Sequence, residues 1–328
     1  MTTTRVSSNR PNVLSAFRGC LLAQAAAAYQ GTKHNPRFLE DGHWSWPHEL
    51  YYTQFIVRGY SRAKGQLNLP AMREAIELGL EFELGRKKTI VPPCDLFADA
   101  EMQFRQLEDR HRGAQVIREI RPHKDKREWI GGPGFAAHAS AIGLVNRNNI
   151  PRIFEDSMGI GQISHQEAKN ALAGGIVTAL AIALAVTEGN QPAAIVARLM
   201  ATLRLDETAG AIPQKLMNKL TLVEKSLRRK VDATQGISEL RSKPRKTVVD
   251  VLPGAIFAAL NGARTLGGLL GPLKIYGNYK AGMIAASIWG AMHGEGAVSP
   301  GYLQGLEGHE CLRDNADELY RVTTSSSV

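Results

Sequence analysis

Apolar positions along this chain recur with helical rather than alternating spacing. Met72, Ile76, Leu80 and Leu84 return every fourth residue and mark one face of a helix over Pro70–Leu84. Val13–Ala28 is an Ala-rich helical segment stopped near Gly31. Tyr51–Ala63 follows the loop HWSWP, whose Pro47 suits a turn or the first turn of a helix. Asp99–Ile120 is long, charged and amphipathic, and Phe135–Val145 is small, apolar and expected to be buried. Further helices are predicted over Gln166–Thr187, Ala193–Leu203, Gln214–Arg229, Val248–Leu260, Ala281–Met292 and Arg313–Arg321. The most polar stretch, Val231–Lys246, interrupts this series. Almost no run alternates apolar and polar residues with β-branched enrichment, as a strand would, and no fixed-period repeat appears. The expectation is an all-α protein with one helical domain over residues 13–322, between flexible termini of residues 1–12 and 323–328.

Composition changes this picture little. The 328 residues are 44% hydrophobic and 22% charged, which excludes a disordered tail or a fibre. Three scattered cysteines, Cys20, Cys94 and Cys311, do not make a disulfide scaffold or a CxxC zinc site, and a reducing, cytoplasmic setting is expected. The opening MTTTRVSSNRPN lacks the continuous apolar core of a signal peptide. Ala168–Val186 approaches the ~20 apolar residues that span a bilayer. It contains Lys169, Asn170, Gly174, Gly175 and Thr178, and is expected to be buried between other helices rather than in a membrane.

Charge is the unusual feature. Forty Lys and Arg against 31 Asp and Glu give a net +9, which suits nucleic acid or a small ligand that carries phosphate. The basic runs Arg121–Arg127, Arg228–Lys230 and Lys243–Lys246 have only Trp129 near them, so base stacking is poorly supported. They read more simply as solvated loops, and nucleic acid is disfavoured as a partner.

Several segments carry a resemblance. Gly19-Cys20-Leu21-Leu22, Thr53-Gln54, Gly134–Leu144 (GFAAHASAIGL), Ser164-His165 with the Ala-rich run after it, and Ile284–Pro300 (IAASIWGAMHGEGAVSP) follow one another in order. Over about residues 14–321 the chain thereby resembles the ADP-ribosylglycohydrolase family. The resemblance implies an all-α fold and, in the family, removal of ADP-ribose from modified side chains by a pair of divalent cations. Those cations are held by two aspartate-containing runs. Here the corresponding runs read Leu50-Tyr51-Tyr52 and Gly277-Asn278-Tyr279-Lys280, and Ala27-Ala28 stand where the first helix would end in aspartate. Hard cations need anionic oxygen ligands. The expectation is a cleft without the paired metals and with no cofactor.

Within that fold Tyr51, Tyr52 and Tyr279 should face one cleft, with Lys280 beside them. Such a set could stack on a ring and hold a phosphate; alternatively the tyrosines merely fill the vacated metal cavity. Thr53, Asn278, Gly134 and His138 complete the ligand-binding candidates, Gly134 because glycines at a helix start bring backbone N–H groups close to a phosphate. The stretch lacks the Gly-Lys-Ser/Thr ending of a Walker loop. Nor does Gly262–Gly271 follow a strand, as a dinucleotide fingerprint would. For cleavage of a ribosyl bond, Asp41 and Glu49 could stabilise an oxocarbenium-like state, and His165 or His48 could carry a proton. The plainer alternative is a solvated loop anchored by Trp44 and Trp46, with His138 and His165 as structural hydrogen-bonding groups.

Two functions remain open on these grounds. One is a metal-independent pocket for an ADP-ribose-like, nucleotide or ribosyl ligand, with or without cleavage. The other is an inactive pseudoenzyme, or an immunity-type protein, that binds a protein partner.

Overall fold

An asparagine ahead of an apolar run starts the first helix. The Asn12 side chain accepts a hydrogen bond from the Ser15 backbone N–H at 2.7 Å, and α1 runs over Val13–Thr32. The computed structural model describes residues 11–35, 39–40, 43–44, 46–76, 132–165, 168–205, 212–241, 247–306 and 308–325. The helix expected over Asp99–Ile120 and the candidate Asp41 lie outside the described residues, as does the second half of the helix expected over Pro70–Leu84; residues 69–76 are helical.

After α1 come a two-residue antiparallel ladder, β1 (Leu39–Glu40) and β2 (His43–Trp44), and α2 (His48–Arg62). Next are α3 (Gly134–His138), α4 (Ser140–Val145), α5 (Ile150–His165), α6 (Lys169–Glu188) and α7 (Pro192–Leu205). The remaining helices are α8 (Gln214–Arg228), α9 (Ala233–Leu240), α10 (Val248–Leu260), α11 (Leu266–Leu273), α12 (Tyr279–His293), α13 (Pro300–Leu303) and α14 (His309–Ser325). The fold is all-α, in one domain.

Among the described residues α1 and α12 form the most extensive contact, although they lie far apart along the chain. Small residues make this approach feasible. A Cβ on Gly19 would overlap the Gly290 carbonyl, and one on Gly290 would overlap the Gly19 carbonyl. Arg18 then ties α1 to α14, with Nε donating to Asp317 at 2.6 Å and Nη1 to Glu295 at 3.2 Å.

Helix α6 forms the other axis and packs on α3, α4, α5, α7, α10 and α12. An 18-residue window of this 20-residue helix has a mean hydropathy of 1.9, enough by length and composition to span a membrane, yet 89% of that window is buried inside the fold. Gly143 lets α4 press onto it, since a Cβ there would overlap the Ala179 carbonyl. Gly189, at φ +62°, ends the helix in the left-handed region that favours glycine.

Four expectations needed correction. The 16-residue α5 was not anticipated in the sequence. The polar stretch after Arg229 contains α9, started by the Asp232 carboxylate accepting from the Thr234 and Gln235 N–H groups. Phe135–Val145 is two short helices, α3 and α4, joined at Ala139. The last helix also runs on through Ser325.

Candidate functional site

The site is built where the first turns of α2 and α12 come together. Pro47 precedes α2 and Glu49 lies in its first turn, where a carboxylate suits the positive end of the helix. Asn278 caps α12, its side chain accepting from the Lys280 N–H at 3.0 Å, so that Tyr279 and Lys280 are the first residues of that helix. Gly31 on α1 leaves the space for Tyr279; a Cβ on that glycine would lie 2.6 Å from the Tyr279 Cβ.

Both new side chains reach Glu49. The Tyr279 hydroxyl donates to Oε2 at 2.6 Å, and the Lys280 ammonium lies 2.6 Å from Oε1. Only 10% of the Glu49 side chain is exposed, against 27% of Lys280. Burial pushes the Glu49 carboxyl up, but the Lys280 charge and the hydrogen bonds from Lys280 and Tyr279 reverse this and hold it below its ordinary value. Glu49 is therefore an anion at neutral pH. A lysine at a helix N-terminus opposes the dipole, and the carboxylate offsets that. The reading of Glu49 as part of a solvated loop does not hold: it is helical and buried.

Tyr51 and Tyr52 share Phe55 as a ring neighbour, and Tyr279 reaches Glu49. Tyr51 packs against Trp46 at 5.6 Å between ring centroids and against Phe55 at 6.4 Å. Tyr52 is buried and stacks on His138, with centroids 5.0 Å apart and planes 20° from parallel. Phe135 meets the same imidazole edge-on at 5.4 Å. His138 is thus enclosed by two aromatic rings and only 3% exposed. Tyr279 alone joins the Glu49 pair.

Thr53 is wholly buried, and its hydroxyl is engaged inside the protein. It donates to the Glu49 carbonyl at 2.9 Å and accepts from Gln24 Nε2 at 3.2 Å. The same Gln24 amide donates to the Ala137 carbonyl, and its Oε1 accepts from the Ser140 hydroxyl at 3.0 Å. One glutamine therefore links α1, α2, α3 and α4 behind the site, and the sequence reading passed over it. The signal was present, since Gln24 is the single polar side chain between Gly19 and Ala28. Gln54, beside Thr53, accepts from Asn315 on α14 at 2.8 Å.

The remaining candidates are placed less fully. Gly134 is the first residue of α3, a helix of only five residues. His165 is the last residue of α5 and His48 the first of α2, with their side chains outside the described residues. Of Asp41, Glu49 and His165, Glu49 alone has a described side chain. Among the described residues no three His, Cys, Asp or Glu side chains gather as a metal ion would require.

A second buried polar cluster lies between α2, α4 and α5. The Tyr60 hydroxyl and the Asn146 amide donate to Asp156 Oδ2 at 2.6 Å and 2.8 Å. Burial raises both the Tyr60 hydroxyl and the Asp156 carboxyl above their ordinary values.

A search of curated proteins by sequence gives no match. Among solved structures, a chain described as an ADP-ribosylglycohydrolase-related protein complex is 16% identical and superposes with a TM-score of 0.60, over 95% of this chain and 99% of the other. That likeness shows the fold. The sequence profile for ADP-ribosylglycohydrolase matches residues 9–327, nearly the whole length, and so the chain belongs to the ADP-ribosylglycohydrolase family.

Proposed function

We propose that this family member binds an ADP-ribose-like ligand in a cleft that has replaced its paired divalent cations with its own charge. The observation that carries the reading is the Lys280 ammonium 2.6 Å from Glu49 Oε1. A divalent cation at that carboxylate would face an ammonium ion and a phenol. Hard cations take six or more oxygen ligands, several of them anionic. The two runs that would supply them offer leucine, tyrosine, asparagine and lysine. The residues present do not fit a pair of such ions.

Lys280, part exposed, is the group to meet a phosphate, and the half-buried Tyr51 and Tyr279 offer ring edges and faces to a base. Because Glu49 stays ionised, it cannot act as a general acid near neutral pH. Its role in any cleavage is to stabilise positive charge developing on the ribosyl carbon, with Asp41 and His165 as the remaining candidates for moving a proton. Tyr52, Thr53 and His138 hold this arrangement from behind.

Calorimetric titration of the full chain with ADP-ribose, in EDTA and again in magnesium, tests the reading. Binding of equal strength in both, weakened in Lys280→Met, is expected. Binding that requires magnesium would overturn it. The second reading, a non-catalytic partner-binding protein, is favoured by one feature: both Glu49 oxygens already have donors. Binding of ADP-ribose without turnover of any ADP-ribosylated side chain in EDTA would select that reading over cleavage.

A further inference from the structure

A trough of about 710 Å³ opens among α7, α8, α9, α10 and α11 and shares no lining residue with the Glu49 cluster. Its size is that of a small-molecule site, for which roughly 300–1,000 Å³ is usual. Val196, Ala258, Leu260 and Leu269, all buried, form an apolar floor, and Leu227 and Val231 are part-buried at its sides. We propose that this trough is a second binding site, for a small amphiphile that carries one anionic group on an apolar body.

The charges on the rim choose the sign. Two acids and two bases line the trough, but the acids are already engaged. Glu224 pairs with Arg228 at 2.7 Å and with Arg204 at 3.6 Å, and Asp232 accepts from the backbone at the start of α9. Lys230 is exposed, and no described carboxylate lies within ion-pair distance of it. A ligand entering the trough therefore meets apolar walls and one available cation.

Lys230 also occupies a position where another residue would be easier to place. It ends α8 at φ +55°, with its N–H donating to the Leu227 carbonyl at 3.1 Å and the Val231 N–H donating to the Ser226 carbonyl at 3.1 Å. This is the helix-ending motif in which glycine is usual, because L side chains are disfavoured in the left-handed region. Lys64 takes the same conformation outside this trough, at φ +53°, so the conformation counts only together with the cavity it borders. At Lys230 the substitution that removes the charge is also the one that relieves the backbone.

The test titrates the full-length protein with 1-anilinonaphthalene-8-sulfonate, whose fluorescence rises in an apolar site, and displaces it with decanoate or with 1-decanol. The wild-type protein should bind the dye, and decanoate should displace it better than the uncharged alcohol. Lys230→Gly should raise the thermal midpoint yet weaken decanoate by about threefold to fivefold, the upper range for an exposed ion pair, and abolish its advantage over decanol. Ala197→Trp, at an exposed trough position on α7, should block the dye while leaving the fold intact by circular dichroism. Failure of the wild-type protein to bind the dye would overturn the proposal. So would equal displacement by decanoate and decanol, or unchanged binding in both variants.

Discussion

Replacing Lys280 by methionine isolates the ion pair at the centre of the candidate site. The variant leaves the Glu49 carboxylate, whose side chain is only 10% exposed, with the Tyr279 hydroxyl and a backbone N–H as donors. Breaking a fully buried pair from one side costs about 3–5 kcal/mol. Lys280 itself is 27% exposed, so water screens part of the interaction and the expected loss is about 2–3 kcal/mol at neutral pH. The pH dependence gives a sharper test than the size. In the wild-type protein the folded carboxyl titrates below the ordinary 4.5, so its stabilising contribution is present above that value and lost as pH falls through the depressed folded value. Without the ammonium, both Lys280 contributions that lower the carboxyl are gone and burial pushes it up relative to the wild-type protein, so the variant gains less stability as pH rises. Urea unfolding of both proteins from about pH 4 to about pH 7 should show a deficit that is small in acid and grows toward neutrality. Adding Glu49→Gln to Lys280→Met should recover about 1–2 kcal/mol of it. A deficit of one size at every pH would refute the assignment of Glu49 and Lys280 as a coupled buried pair.

Other substitutions probe the frame around that pair. Gln24→Ala removes the amide that serves Thr53, Ser140 and the Ala137 carbonyl, and should lower unfolding free energy by about 2–3 kcal/mol; Gln24→Met, similar in volume, should recover little if the hydrogen bonds matter most. Gly290→Ala forces a methyl against the Gly19 carbonyl and should destabilise by about 1–3 kcal/mol, read as a lower thermal midpoint. Gly271→Ala, on an exposed helical position with nothing within 4 Å of its Cβ, should leave that midpoint unchanged or raise it. Because burial raises the Asp156 carboxyl above 3.8, the acid form favours the folded state, and this contribution is lost as pH rises through the raised value. Asp156→Asn should flatten that part of the stability profile, measured by urea midpoint against pH.

Long apolar helices were the part of the fold written most plainly in the sequence. Val248–Leu260 has the bounds expected of it, since all of its 13 residues are buried and polar segments stand on either side. Helix α5 was hidden because Gly159 and Gly161 lower its intrinsic preference. Packing explains the last of these, as a Cβ on Gly161 would overlap Leu172 and Phe135. Helix α9 was obscured by polar neighbours, although Asp232 was a readable start. At the site, the residue types were legible and their pairing was not. Glu49 read as one acid among several in a loop, and only the fold brings to it an ammonium and a phenol from a distant helix. Of the two rings that cover His138, Phe135 is three residues earlier on the same helix and readable from spacing, whereas Tyr52 comes from α2, which spacing does not relate to it.

The closeness of α1 and α12 has a consequence for how the protein is made. At roughly 5–20 residues per second, the ribosome needs on the order of a quarter of a minute to a minute after α1 emerges before α12 can meet it. Throughout that interval the Ala-rich surface of α1 and the apolar α6 lack a principal neighbour. Completion of the core therefore waits until α12 has been synthesised. A nascent chain that stalls before residue 279 would present both surfaces to chaperones and proteases, however well its other helices had formed.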